Sequence, residues 1–224
     1  MRPVDKGSSP YTSIDDYKKA TDPLVDRIGH YCSYCEMNIM HIPHVEHVES
    51  KNSGGDETAW DNLMLSCTYC NSRKGEHIKV NDRSKWLWPD TDNTFRAFSY
   101  AGGIPALSIN VSQDTSAYQK AKDMFDCLKL DNHPNPRDRD RRWVARLEAF
   151  NTALKYKTDW DEGLCSSTQS IARAASATGF FSTWMMVFEG DVEIRQALIK
   201  AFKGTAQNCF DGQTMPIHRQ NGSF

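Results

Sequence analysis

The sequence predicts an α+β protein, with a zinc-braced strand–strand–helix module towards the N-terminus and a mainly helical C-terminal region. Three observations carry this. Two Cys-x-x-Cys pairs, Cys32/Cys35 and Cys67/Cys70, bracket a short histidine-rich stretch. Between and after them, Val45–Val48 and Leu63–Ser66 read as short strands, joined by a loop carrying the turn signal Ser53-Gly54-Gly55, and Thr68–Gly75 reads as a helix stopped by Gly75. From about residue 114 onward, apolar residues recur at helical spacing.

Residues 1–30 form a polar N-terminal extension with one helical candidate, Ser13–Ile28. The cysteine-bracketed module and an aromatic-rich extension occupy 31–111. The extension holds Trp86, Trp88, Phe95, Phe98 and Tyr100, and is punctuated too often by Pro89 and Gly102-Gly103 for a long helix. Residues 112–204 are the helical region, a possible docking platform for a partner. Ala117, Ala121, Met124, Phe125 and Leu128 mark a first helix with Asp114 as candidate cap, broken by Asn132–Pro136. Trp143, Leu147, Phe150 and Leu154 mark a second, and Thr168–Thr178 a third. Phe180–Phe188 is an apolar segment suited to core or interface, and Asp191 opens a last helix through Ile194, Leu198 and Phe202, ended by Gly204. Residues 205–224 read as a loose polar tail.

With 39% hydrophobic and 25% charged residues, the chain is globular and not disordered. A formal net charge of −2 does not advertise nucleic-acid binding, so such binding must come from a local patch or from a partner. No apolar run reaches the ~18–20 residues of a membrane span, and Met1–Lys6 leads into no signal-peptide core. The expected location is the cytoplasm, where seven cysteines favour metal over disulfides.

Four thiolates in two close pairs make a closed tetrahedral zinc site with no open position, hence a structural one. Glu46-His47 supplies what phosphodiester hydrolysis needs: His47 as general base and Glu46 as ligand of a divalent cation. Neighbours on a regular strand point to opposite faces, so this pair converges only at a bulge or strand end. Asn71, directly after the last cysteine, offers an amide oxygen to Mg²⁺. Asn62 is placed to tie the intervening loop to the strand and orient the base. His44 shares the Glu46 face and, with Arg73 and Lys74 on the short helix, is a candidate contact to phosphate. A second basic run, Arg137, Arg139, Arg141, Arg142 and Arg146, suits either a solvated helix face or a nucleic-acid or partner surface.

CSYC, HVEH, WDNLMLSC and CTYCNSRKG, spanning Cys32 to Gly75, resemble the HNH endonucleases, also called His-Me finger or ββα-metal nucleases. The resemblance implies one divalent ion, Mg²⁺ or Mn²⁺, beside the structural Zn²⁺, and hydrolysis to 5′-phosphate and 3′-hydroxyl ends. It places the first H on His47, the N on Asn62 and the last H on Asn71, where Asn is a variant; Glu46 stands where Asp or His is usual. The pattern is most similar to the PtuB-like nucleases of Septu and retron anti-phage systems. That similarity implies a DNA substrate and a PtuA-like ABC/SMC-type ATPase partner, and allows a retron reverse transcriptase with its RNA–DNA product. Two other readings stand beside it: a stand-alone McrA-like restriction endonuclease, and a non-enzymatic zinc-stabilised nucleic-acid-binding module.

Overall fold

In the computed structural model, which describes residues 1–109, 111–113, 115–133 and 139–224, the N-terminal half is organised around one antiparallel hairpin. Strand β1 (His44–His47) pairs with β2 (Leu63–Ser66) in the register His44 to Ser66 through His47 to Leu63, without a bulge. Helix α1 (Thr21–Ile28) precedes the hairpin and α2 (Thr68–Lys74) follows it. A short helix α3 (Thr94–Ala97) leads into a second, two-residue pairing of β3 (Phe98–Ser99) with β4 (Ala106–Leu107). The C-terminal half is helical: α4 (Ser116–Leu128), α5 (Arg142–Asp161), α6 (Thr168–Thr178), α7 (Phe181–Val187) and α8 (Val192–Ala201). None of the described helices is long and apolar enough to cross a membrane.

The helical candidate over Ser13–Ile28 is only partly helical. The Asp16 carboxylate accepts from the Lys18 amide and caps a 3₁₀ turn at Tyr17–Ala20, so regular helix starts at Thr21. Strand β1 begins and ends one residue earlier than expected. Thr115, whose hydroxyl accepts from the Tyr118 amide, caps α4; Asp114, the expected cap, lies outside the described residues.

Helix α5 has the expected period but buries a different stripe. Arg142, Arg146, Ala149 and Ala153 face inward, while Leu147 and Leu154 remain 41% and 43% exposed. Two alanines let α5 lie close to α7, and the arginines find buried acceptors, so the bulkier leucines are turned outward. Two apolar cores result. One joins α1, the hairpin, Trp88 and the buried face of α4, including Met124 and Leu128. The other is built on Phe181, Trp184, Met185 and Phe188 with Ile171, Leu198 and Phe202, which assigns the Phe180–Phe188 segment to core.

The last twenty residues are packed, not loose. The Asn93 amide donates to the carbonyls of Cys209 and Ile217, both at 2.7 Å. Arg219 donates to the Pro89 and Val4 carbonyls, and Phe224 is buried. The N-terminal residues are stitched in as well. Val4 bridges to Thr205, and Arg2 donates to carbonyls of Ile28, Phe202 and Lys203.

The first cysteine knuckle is bolted to the helical half. The Glu36 carboxylate accepts from the Ser182 amide (2.9 Å) and hydroxyl (2.5 Å), and its carbonyl accepts from the Phe180 amide. Gly179 sits against this turn at φ 80°, where an added Cβ would lie 2.7 Å from the Glu36 carbonyl oxygen, so only glycine fits. Glu36→Ala leaves a buried amide unpaired and is expected to cost about 2–3 kcal/mol in urea unfolding, against under about 1 kcal/mol for the half-exposed Leu147→Ala.

Candidate active site

The sulfurs of Cys32, Cys35, Cys67 and Cys70 are buried, unoxidised, and lie within 4.8 Å of one another. Cys35 and Cys67 are 3.7 Å apart, beside the roughly 3.8 Å edge of a tetrahedron with Zn–S bonds of about 2.3 Å. The four therefore fit a zinc ion and leave no open position for substrate. Local structure sets them up. Cys67 is the N-cap of α2 and accepts from the Cys70 amide, so both ligands of this pair sit on the helix start. The other knuckle turns at Glu36 (φ 67°) and is tied to β2 by the Ser33 amide donating to the Leu65 carbonyl.

A basic residue reaches this cluster from the C-terminal half. The Arg142 Nη1 donates to Cys70 Sγ at 3.3 Å, while Asp140 grips the rest of the guanidinium and Nη2 also reaches the Lys129 carbonyl. Both partners are about 2% exposed. Read from sequence, Arg142 and Arg146 belonged to a possible nucleic-acid surface; burial removes them from it. Arg137 lies outside the described residues. A zinc ion with four thiolates carries a net double negative charge, and a buried guanidinium beside one sulfur offsets part of it.

His47 ends β1. Its Nε2 lies 3.0 Å from the Glu57 carbonyl oxygen, which can only accept, so Nε2 carries the proton and Nδ1 keeps its lone pair. The Tyr17 ring packs edge-on at 4.7 Å between centroids. Burial lowers the His47 pKa below the ordinary histidine value, against the opposing pull of the Glu57 carbonyl, so the ring is neutral at pH 7.

Asn62 holds the loop that supplies that carbonyl. Its side-chain oxygen accepts from the Glu49 amide at 2.7 Å, and its Nδ2 donates to the carbonyls of Glu49 (3.0 Å) and Asp56 (2.6 Å). Gly55 lets the loop close, since a Cβ there would come within 2.1 Å of the Glu49 carbonyl oxygen. Lys51 pairs with the Glu57 carboxylate at 2.8 Å and lies over the Tyr17 ring.

Glu46 departs from its expected place. With no bulge in the register, it points to the opposite face of β1 from His47. There its carboxylate meets Lys74 Nζ at 2.5 Å and accepts from the Tyr34 hydroxyl. Lys74 also donates to the His47 carbonyl at 2.6 Å. Glu46 and Lys74 are 3% and 1% exposed, so Lys74 is no phosphate contact; its cation already balances Glu46. Burial raises the Glu46 pKa, opposed chiefly by Lys74. In this arrangement Glu46 does not fit a divalent-ion ligand. Asn71 is half-buried; its backbone is engaged within α2, and its side-chain amide has no hydrogen bond among the described residues, which leaves the side-chain oxygen as the available ligand atom. His44 Nε2 lies 3.2 Å from the Thr68 hydroxyl, and Arg73 is half-buried.

Four parts of this site had little or no sequence signal. The Glu57 group is a backbone carbonyl, which any residue would provide. Tyr34 was hidden inside the first cysteine pair, Tyr17 in the N-terminal extension, and Arg142 in a basic run 72 residues past Cys70.

Residues 32–77, about a fifth of the chain, match the family model described as HNH endonuclease. That stretch contains the four cysteines, the hairpin and α2, and supports a nuclease of this family. No curated protein and no solved structure matches the chain.

Two outcomes follow from the geometry. Arg142→Met should release zinc to a colorimetric chelator several-fold faster than wild type, while Cys32→Ser should fail to retain one equivalent on purification. Lys74→Met leaves Glu46 buried without its cation and should cost about 3–5 kcal/mol by chemical denaturation, with much of the loss recovered in Glu46→Gln/Lys74→Met.

Proposed function

We propose that the chain is a metal-dependent HNH endonuclease that hydrolyses DNA phosphodiester bonds, acting as the nuclease subunit of an anti-phage complex with an ABC/SMC-type ATPase. One observation carries the chemistry: the Glu57 carbonyl fixes the His47 tautomer so that Nδ1, on a ring kept neutral by burial, is the free base. The family match over 32–77 supports the reaction class.

In this reading His47 Nδ1 takes a proton from water as its oxygen adds to phosphorus. The P–O3′ bond breaks, and the departing O3′ gains a proton from solvent, giving 5′-phosphate and 3′-hydroxyl ends. A divalent ion, Mg²⁺ or Mn²⁺, would supply charge neutralisation at the phosphate, with the Asn71 oxygen as the ligand this chain offers. Asn62 positions the base through the 49–57 loop. Glu46, expected as a ligand, positions instead: with Lys74 it anchors the carbonyl of His47 and so the end of β1. Arg73 and His44 stay candidates for phosphate contact.

The partner reading rests on charge and on surface. A net charge of −2, with Lys74 withdrawn from the basic stretch on α2 and Arg142 and Arg146 from the second basic run by burial, favours an assembly that supplies DNA affinity from elsewhere. The outward leucines of α5, Leu147 and Leu154, offer the ATPase an apolar stripe.

Supercoiled plasmid nicking with Mg²⁺ or Mn²⁺, with and without the ATPase, tests this. His47→Ala should lose at least about 10²-fold in rate. Because the His47 pKa lies below its usual value and the neutral ring is the active form, activity should be full at neutral pH and fall only as pH drops through that lowered pKa. Cleavage by His47→Ala equal to wild type, or none with any metal or partner, would return the chain to a zinc-stabilised binding module; tight DNA binding by the isolated chain would favour the stand-alone restriction enzyme.

A further inference from the structure

A cavity of about 820 Å³ lies between the β3–β4 pairing, the start of α4, α7, α8 and the packed tail. None of its lining residues belongs to the 32–77 stretch, so it is separate from the nuclease site. Its walls are mostly apolar, with Phe98, Leu107, Met185 and Met186 among them.

Three charged side chains line it, Arg96, Glu189 and Arg195, and only the last is buried. Arg195, on α8, is 4% exposed, yet among the described residues its guanidinium makes no hydrogen bond or ion pair, and its Nε is shielded from water without a partner. Its guanidinium carbon lies 6.0 Å from the centroid of the Phe95 ring. Burial lowers its pKa, and the carboxylates that oppose this, Glu189 and Asp211, act from beyond ion-pair distance. A second guanidinium, Arg96, lines the same cavity half-buried, also without a partner among the described residues. Buried guanidinium without an acceptor is unfavourable, and an anion entering the cavity relieves it.

We propose that this cavity binds a small monocarboxylate with an apolar body, its carboxylate on Arg195 and Arg96 and its body against Phe98, Leu107 and Met186. The walls favour this over a nucleotide. The described lining has no Asn, Asp or Gln; its polar side chains besides the two arginines are Glu189, His218 and a few hydroxyls. The Phe95 ring meets Phe181 and Phe210 at steep angles, and one face of Phe98 is stacked on Phe125, which leaves less aromatic face for a base than a dedicated stacking site offers. The volume falls within the range of ordinary small-molecule sites, about 300–1,000 Å³.

Calorimetric titration of the full chain with octanoate, 1-octanol and AMP decides it. The expected result is saturable octanoate binding, with octanol and AMP at least about tenfold weaker, and a loss of about tenfold or more in Arg195→Gln. Ala106→Trp, at an exposed position on the rim, should block octanoate by filling the cavity, and keeps the test decisive if Arg195→Gln does not fold. Octanol binding as tightly as octanoate, AMP binding in its place, no saturable octanoate binding, or wild-type affinity in the folded variants would each overturn the proposal.

Discussion

Everything near the candidate active site depends on four sulfur atoms being held together. The hairpin that carries His47 has two strands of four residues each, too little to persist in water by itself. What fixes it is the cysteine tetrahedron. One pair is built into the start of α2, the other into a knuckle whose Ser33 amide bonds β2, so closing the cluster clamps strand and helix to one another. Two contacts from the helical half secure the same point: Ser182 on the Glu36 carboxylate and Arg142 on Cys70. The C-terminal helices are thus part of the metal centre's surroundings.

From that clamp the polar groups separate onto two faces of β1. On one, His47 meets a carbonyl delivered by a loop that Asn62 gathers with three hydrogen bonds. On the other, Glu46, Lys74 and Tyr34 form a dry charged cluster whose ammonium also holds the His47 backbone. A neutral imidazole and a buried ion pair therefore share two adjacent residues without sharing an environment. The strand's alternation keeps the Glu46 carboxylate from raising the histidine's pKa by proximity.

Much of this was legible in the sequence, and the illegible parts have definite reasons. Cysteine spacing marked the metal cluster because few other arrangements use two such pairs. Strand β2 and helix α6 emerged with their expected boundaries. The same alternation rule that places Glu46 away from His47 was available, but its partner was not: Lys74 belongs to a different element, and nothing local distinguishes a lysine that folds under a strand from one that reaches into solvent. Helix α5 shows the limit of periodicity. Its spacing gave the period, yet two stripes share that period, and the one holding arginines and alanines was buried because acceptors and a close neighbour happened to lie there. The tail looked loose because its order comes from Asn93 and Arg219, more than a hundred positions away in the first case, which collect backbone carbonyls that carry no side-chain signature.

The Arg142–Cys70 contact also imposes an order in time. The two residues are 72 positions apart, and at ribosomal rates of about 5–20 residues per second the arginine is made roughly 4–14 seconds after the cysteine. Ser182, which secures the other knuckle, comes later still. During synthesis the cysteines, the hairpin and His47 are present well before the residues that lock them, so an interrupted chain ending short of α5 would carry the family's signature stretch with an unsupported cysteine cluster. Quality control in the cell would meet such a fragment as a zinc-losing species, not as a free-running enzyme.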